Sequence, residues 1–245
     1  MAYAVSIAGV QTLGAELSLD VAREADALGC ESVWVAEANA AEAMSLLGAI
    51  SQAAPHVGLG TGVVALQLRT PPLHAMAAAT LQQLAGDRAV YLGIGISSPA
   101  VAGLWHGAGY TDRPIAQVRE FVTLLRECLS GGAVTFEGDF YSVKRFRLGV
   151  RLGDSRPKIF VAALNEQMLR LAGSIADGVL LNYLPASRVP WCVDRVREGG
   201  DAAVYAYVRA KVDAYERAGA QPIVFALPWG EDRRATISET LQALA

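Results

Sequence analysis

The sequence predicts an α/β protein folded as a (β/α)8 TIM barrel. Short apolar runs rich in β-branched residues alternate with segments of helical period along the 245 residues, which is typical of parallel strands covered by helices. We count eight such runs, the strand number of this barrel. Barrels of this kind often reach this length as one domain, so we expect residues 1–245 to form a single domain.

The strands are predicted from apolar runs bounded by turn-forming residues. Their ranges are 3–9, 32–36, 57–64, 89–96, 158–164, 178–183, 203–208 and 222–227. Residues 97–113 follow the fourth strand, so we expect them at the carboxyl-terminal face, where βα loops build active sites, as a candidate lid. Residues 132–157 precede the fifth strand, and we expect a hairpin-like excursion there that faces away from the barrel mouth.

The helices between the strands have their own start signals. Asn39 followed by Glu42 resembles a capping box, which predicts a helix beginning there and running to residue 54. Thr70 and Pro71 have the residue types of an N-cap and a first helical position, and Pro114 opens another helix.

Composition excludes several classes of protein. The 24 acidic residues outnumber the 21 basic ones, so the chain lacks the basic excess that nucleic-acid binding needs. Cys30, Cys128 and Cys192 are odd in number and lack metal-ligand spacing, so neither a disulfide framework nor a metal site is indicated. We expect a cytoplasmic protein without a membrane span, because polar residues and glycines interrupt its longest uncharged stretch, residues 43–68.

Four polar residues are candidates for the site, three of them at predicted strand ends and His106 in the lid. Glu37 is a candidate acid or cofactor ligand, or a solvated loop residue. His106 is a candidate general acid, or a packing residue of the lid. Asn165 is expected to cap a helix whose amides form an anion site, or to be an ordinary cap. Asn182 interrupts an apolar run, which favours a site role because a buried amide needs partners.

Two glycine-containing strand ends are further candidates. Gly62 and Val63 end the third predicted strand, where glycine permits either a packing bulge or a close approach to a ligand. Gly95 is followed closely by Ser97 and Ser98, which place two hydroxyls at the mouth. This second segment lacks the third glycine of a dinucleotide-binding fingerprint, so tight barrel packing remains the alternative.

Several segments together resemble one known family. They are SVWVAEA (32–38), LGTGVV (59–64), RTPP (69–72), AVYLGIGISSP (89–99), WHG (105–107), FEGDFYSV (136–143), VAALNEQMLRLAGSIADGVLLN (161–182) and PWGEDRRATISETL (228–241). In this order they resemble the luciferase-like flavin and deazaflavin oxidoreductases, specifically the coenzyme F420-dependent branch. Within that branch the chain is similar to the methylenetetrahydromethanopterin reductases.

The resemblance implies a bacterial-luciferase-like barrel that holds coenzyme F420 at its carboxyl-terminal mouth. Hydride would pass between C5 of the deazaflavin and a small organic substrate, in an enzyme expected to be a homodimer. A cis peptide bond between Gly62 and Val63 is also implied. The implied cofactor contacts are Glu37, Gly62, Val63, Ser97 and Ser98 at the ring, and Ala162, Ala163, Leu164, Asn165 and Gly178 at the phosphate and tail. Asn182 joins this set from its position, and Glu37, His106 and Tyr110 are the candidate proton donors.

The chain also departs from this family. Ala38 and Ser98 stand where the sugar-phosphate dehydrogenases of the branch carry a His and a Glu, which argues against a sugar-phosphate substrate. Relatives carry a long helical insertion after the seventh strand, whereas here residues 209–218 follow that strand almost directly. Two alternatives therefore stay open: an FMN-dependent luciferase-like monooxygenase, and a non-catalytic flavin-binding protein.

Overall fold

The computed structural model describes residues 3–209, 211–228 and 231–243, so Trp229 and Gly230 of the PWGEDRRATISETL segment lie outside the described residues. Its strands are β1 (Ala4–Ser6), β2 (Ser32–Val35), β3 (Gly58–Thr61), β4 (Val64–Ala65), β5 (Val90–Gly95), β6 (Ala133–Glu137), β7 (Ser142–Arg147), β8 (Lys158–Ala162), β9 (Gly178–Leu181), β10 (Ala203–Val208) and β11 (Gln221–Phe225). Its α-helices are α1 (Ala15–Ala27), α2 (Ala43–Ala53), α3 (Pro71–Ala85), α4 (Pro114–Leu129), α5 (Glu166–Ile175), α6 (Val189–Gly199), α7 (Val212–Arg217) and α8 (Arg233–Gln242).

The parallel strands form a closed barrel. The ladder runs β3-β2-β1-β11-β10-β9-β8-β5-β4, and pairing of β3 with β5 closes it. Because β4 continues the course of β3 past a short break, the barrel has the eight strand positions that the sequence predicts. The (β/α)8 fold is confirmed.

Local signals set most helix starts correctly. Thr70 caps α3 by accepting a hydrogen bond from the Leu73 amide at 3.4 Å, and a proline opens both α3 and α4. The predicted start at Asn39 is wrong. Glu42 is the N-cap of α2, because its own carboxylate accepts hydrogen bonds from the Met44 and Ser45 amides at 3.2 and 2.7 Å.

The barrel interior is filled at its amino-terminal end. Trp34 stacks on Tyr91 with ring centroids 5.2 Å apart, and the ring of Phe160 packs edge-on against both. The hydroxyls of Tyr91 and Tyr205 donate hydrogen bonds to the Glu31 carboxylate at 2.6 and 3.1 Å. A ligand must therefore approach the lumen from the carboxyl-terminal end.

The antiparallel hairpin of β6 and β7 confirms the predicted excursion before β8, but its tip lies elsewhere than expected. Glu120 of α4 accepts hydrogen bonds from the amides of residues 139–141 at 2.9, 2.8 and 2.6 Å. Gln117, in the first turn of α4, donates to the Tyr141 hydroxyl at 3.1 Å. The hairpin therefore runs back along α4, and its tip reaches the carboxyl-terminal side of the barrel.

The lid segment contains a short helix that the sequence did not predict. Residues Pro99–Trp105 form a π-helix, with Ser98 as its N-cap. Among the described residues, no helix combines the length and the apolar character that a membrane crossing requires.

Candidate active site

A cavity of about 740 Å³ opens at the carboxyl-terminal mouth of the barrel. Its lining comes from the ends of several strands and from the lid: Gly62, Val63, Ile96, Tyr110, Pro114, Ile115, residues 162–168, Leu180, Asn182 and Tyr207. This is the place where TIM-barrel enzymes bind their substrates, and most of the lining is apolar.

The floor of this cavity is the junction between β3 and β4. The peptide bond between Gly62 and Val63 is cis, as the resemblance implies. The Gly62 amide donates to the carbonyl of Val35 at 2.7 Å, and the Gly62 carbonyl accepts from the Tyr207 hydroxyl at 3.0 Å. A Cβ on Gly62 would collide with that hydroxyl and approach the Trp34 ring to 3.4 Å. The position requires glycine because two aromatic side chains pack against the backbone there.

Tyr207 is a lining residue that the sequence reasoning missed. It lies on β10, is 4% exposed, and spans the lumen to reach Gly62. Burial raises the pKa of its phenol, so the neutral, hydrogen-donating form prevails. The alternation of Tyr205 and Tyr207 along one strand was the signal that could have indicated inward-facing aromatic residues.

One wall is formed by the segment from β8 into α5. Asn165 caps α5 as predicted, because its side-chain oxygen accepts from the Met168 amide at 2.9 Å. Ala162, Ala163, Leu164 and Asn165 all line the cavity. The first residues of α5, Glu166 and Gln167, also line it, so the amino terminus of this ten-residue helix faces the site.

Glu37 does not line the cavity. Its two carboxylate oxygens accept hydrogen bonds from the Arg69 guanidinium at 2.5 and 2.7 Å, and one also accepts from the Ala43 amide at 3.0 Å. Arg69 also pairs with Glu42. Hydrogen bonding to Glu37 raises the pKa of Arg69. The carboxylate therefore ties the loop after β2 to the segment before α3, and both of its oxygens are occupied by these donors.

The lid residues are used in different ways. Ser98 caps the π-helix by accepting from the Val101 amide at 3.2 Å, and the Ser97 amide is 3.4 Å from the side-chain oxygen of Gln67. The His106 ring nitrogen Nε2 lies 2.6 Å from the Ala38 carbonyl. Since a carbonyl only accepts, Nε2 carries the hydrogen, and the imidazole fastens the lid to the loop after β2.

Among the three candidate proton donors, Tyr110 alone lines the cavity, and it is 47% exposed. Ser97, Ser98, Glu37 and His106 lie around the mouth without lining it.

Two further candidates lie elsewhere than the sequence suggested. Gly178 is the first residue of β9, at the amino-terminal end of the barrel, where the ring of Phe160 occupies the space of a Cβ. The structure does not bring it to the mouth. Asn182 does line the cavity, but β9 ends at Leu181 and Asn182 is exposed, so the expectation of a buried amide is wrong.

Comparison with known proteins assigns the chain to a family. A profile described as luciferase-like monooxygenase matches residues 15–215. The chain belongs to this family. Within the described ranges, no group of three or more His, Cys, Asp or Glu side chains is placed to hold a metal ion.

Curated relatives of this luciferase-like chain include two named for coenzyme F420 or a pterin substrate. It is 27% identical over 217 residues to a 5,10-methylenetetrahydromethanopterin reductase from Methanolobus tindarius, covering 84% of this chain and 65% of that protein. It is 30% identical over 185 residues to an F420-dependent glucose-6-phosphate dehydrogenase from Nakamurella multipartita, covering 71% and 54%. The chain thus spans less than two thirds of the length of these relatives.

Solved structures show the same fold at low sequence identity. An F420-dependent secondary alcohol dehydrogenase in complex with an F420-acetone adduct matches with a TM-score of 0.82 at 18% identity, over 99% of this chain and 98% of that one. The coenzyme F420-dependent tetrahydromethanopterin reductase from Methanopyrus kandleri matches with a TM-score of 0.81 at 18% identity, over 98% and 97%. The predicted bacterial-luciferase-like barrel is confirmed by these matches.

Proposed function

We propose that this protein is a coenzyme F420-dependent oxidoreductase that transfers hydride between the deazaflavin and a small organic substrate. The observation that carries the proposal is the cavity at the barrel mouth, whose floor is the backbone of Gly62 and Val63, fixed by the hydrogen bond from Tyr207. The family and the names of the relatives support the same cofactor. When bound, coenzyme F420 supplies the hydride-carrying carbon of its ring.

The cavity offers a suitable environment for each part of such a cofactor. Gly62 and Val63 would contact the flat ring, because both line the floor of the cavity. Ile96 and Leu180 exclude water from the walls. The amides at the start of α5, beside Asn165, would bind the phosphate, since a helix amino terminus attracts anions.

We assign proton donation to Tyr110 rather than to Glu37 or His106. Tyr110 lines the cavity and its hydroxyl can reach a substrate, whereas Glu37 is engaged by Arg69 and His106 by the Ala38 carbonyl. Glu37 and His106 are then positioning residues, which hold the loops around the mouth.

A fluorescence titration of the purified protein with coenzyme F420 and, in parallel, with FMN tests this proposal. We expect F420 to bind more tightly than FMN, and F420-dependent absorbance change with a substrate panel of enones, imines and small ketones. Binding of FMN alone, with oxygen uptake, would favour the monooxygenase; binding of FMN without turnover would favour a flavin-binding protein. Binding of neither would overturn the proposal.

We also propose that the protein forms a homodimer through the surface of α2 and α3. The α2 and α3 helices contain no Asp, Glu, Lys or Arg, unlike the other α-helices that the structure describes, and α3 exposes Leu73, Met76 and Leu84. A second copy of this charge-free surface would cover these side chains in a two-fold arrangement. Light scattering after gel filtration should give twice the chain mass, and Met76→Lys should shift it towards the monomer. A wild-type monomer would contradict the proposal.

The predicted cytoplasmic location stays part of this proposal. Cys30, Cys128 and Cys192 are unpaired thiols, which agrees with a reducing compartment.

A further inference from the structure

We propose that a second cavity, beside the candidate active site, binds the anionic group of an organic carboxylate or phosphate. The cavity has a volume of about 600 Å³ and lies between the loop after β9 and the connection from β10 to α7. Tyr207 lines both this cavity and the one at the barrel mouth, so the two compartments adjoin. Assigning the ligand to the reaction rests on the proposed function, whereas the binding itself does not.

The charged side chains that line this second cavity are both cations. Arg209 and Lys211 project there, and the lining residues include no carboxylate. Within residues 3–209, 211–228 and 231–243, neither cation forms an ion pair. Asp213 of the adjacent α7 pairs instead with Arg217 at 3.6 Å, on an exposed surface. The cavity is thus a local centre of positive charge on a chain whose net charge is −3.

Arg209 is held by an aromatic ring rather than by a carboxylate. Eight other arginines form ion pairs with carboxylates: Arg23, Arg69, Arg113, Arg126, Arg170, Arg195, Arg217 and Arg234. Arg209 is instead held by an aromatic ring, and its hydrogen-bond donors are not used by a carboxylate. A guanidinium held in this way is well suited to a two-pronged contact with a carboxylate or phosphate.

The aromatic stack behind Arg209 fixes its position. Tyr183 stacks on Phe225 with centroids 5.1 Å apart and an interplanar angle of 14°, and the Arg209 guanidinium lies 4.6 Å from the centre of the Tyr183 ring. Tyr215 closes the far side by donating from its hydroxyl to the Leu184 carbonyl at 2.6 Å. The stack leaves the guanidinium edge free to donate, at a small entropic cost for ordering the side chain.

The backbone at both edges of the cavity is also unusual. Tyr183 and Lys211 have φ values of 50° and 58°, in the left-handed region that residues with a side chain rarely adopt. Arg145 is the one other such residue in the part of the chain that the structure describes. Conformations of this kind cost free energy and cluster at binding sites, where they aim particular side chains.

The two compartments together define a class of ligand. The mouth cavity is mainly apolar and accepts a planar or hydrocarbon body, while Arg209 and Lys211 accept the charged group beyond Tyr207. The ligand is therefore an organic anion, either a substrate with a carboxylate or phosphate, or the anionic side chain of the cofactor. These two sources share the same chemistry at the cations.

Calorimetric titration with phenyl phosphate tests the site without requiring turnover. We expect phenyl phosphate to bind the wild-type protein more weakly as salt is raised, and phenol, which lacks the phosphate, not to bind comparably. Replacing both cations, Arg209→Gln with Lys211→Gln, should weaken phenyl phosphate binding about tenfold. Arg188→Gln is the matched control, because Arg188 also stacks on an aromatic ring, Trp191 at 3.5 Å, but does not line the cavity.

The same titration repeated with saturating coenzyme F420 identifies the source of the anion. Unchanged phenyl phosphate binding assigns the cavity to the substrate, and competition assigns it to the side chain of the cofactor; both results support the site. Equal binding by the wild type and the double variant, or equal loss in Arg188→Gln, would overturn it. Failure of F420 to bind, with phenyl phosphate binding intact, would reject the proposed function and leave the anion site standing.

Discussion

The two ends of the barrel lumen use the same residue type for opposite purposes. Tyr205 and Tyr207 lie two residues apart on β10 and both point inwards. The hydroxyl of Tyr205 donates to Glu31 within the packed amino-terminal end, whereas that of Tyr207 donates to the backbone of Gly62 on the floor of the mouth cavity. Position along the strand, rather than residue type, decides whether a tyrosine belongs to the core or to the site.

The largest expected effect is a loss of stability when the packed amino-terminal end of the lumen is disrupted. Phe160→Ala removes a buried ring that packs against Trp34, Tyr91 and Tyr205, so we expect the free energy of unfolding to fall by about 3–5 kcal/mol. Urea unfolding followed by circular dichroism measures this loss. If the variant does not fold, Phe160→Leu provides a milder form of the same test. A negligible loss in both variants would mean that this end is not the stabilising half of the lumen.

The next largest effect is a loss of cofactor affinity when the carboxyl-terminal mouth of the barrel is changed. Gly62→Ala places a Cβ against the Tyr207 hydroxyl, and we expect F420 affinity to fall at least tenfold, with a stability loss of about 1–3 kcal/mol from overpacking. Gly149→Ala is the control, because a Cβ there meets open space. Unchanged affinity in Gly62→Ala, measured by fluorescence titration, would remove Gly62 from the site.

A smaller effect separates the two tyrosines directly. Tyr207→Phe removes the hydrogen bond to the Gly62 carbonyl, and we expect F420 binding to weaken about fivefold, in line with the loss of roughly 1 kcal/mol for one hydrogen bond. Tyr205→Phe, on the same face of the same strand, should leave F420 affinity unchanged and lower stability alone. Equal effects of both variants on F420 affinity would contradict the assignment of Tyr207 to the site and of Tyr205 to the core.

The smallest effect is a dependence of stability on alkaline pH. Burial, and then the negative charge of Glu31, raises the pKa of Tyr205 from its ordinary value of 10.0 to about 12. Between these values the unfolded chain releases the proton and the folded chain keeps it, so stability is complete below pH 10 and declines as the pH rises towards 12. Thermal unfolding at pH 9 to 11 should show a shallower decline for Tyr205→Phe than for the wild type.

The strand pattern was predictable because apolar runs between turn-forming residues are local signals. The errors lie mainly at the carboxyl-terminal ends of the strands. The strands predicted over 158–164 and 178–183 end at Ala162 and Leu181 in the structure. The residues beyond are still apolar or neutral, but Ala163, Leu164 and Asn182 leave the ladder to line the mouth, and Tyr183 lines the second cavity. That residues 1–245 form a single domain stays a prediction.

The site was less predictable because its contacts join distant parts of the chain. Glu37 looked like a free carboxylate since its partner, Arg69, is 32 residues away. Gly178 was expected to contact the cofactor through the resemblance alone, although the strand predicted over 178–183 already begins at this residue, as β9 does. Arg209 and Lys211 belong to an unremarkable loop in the sequence, and only the fold places them beside Tyr207. The prediction that Asn165 caps a helix was correct, because a helix cap depends on its immediate neighbours alone.

The hydrogen bond between Tyr207 and Gly62 has a consequence for the order of folding events. It joins residues 145 positions apart, so β10 must be seated between β9 and β11 before the bond can form. Contacts between such distant residues require the closure of long loops, unlike those of α4 with the adjacent β6 and β7 hairpin. The ligand-binding floor therefore forms late, and uptake of cofactor during refolding would report the completed barrel rather than a partly folded intermediate.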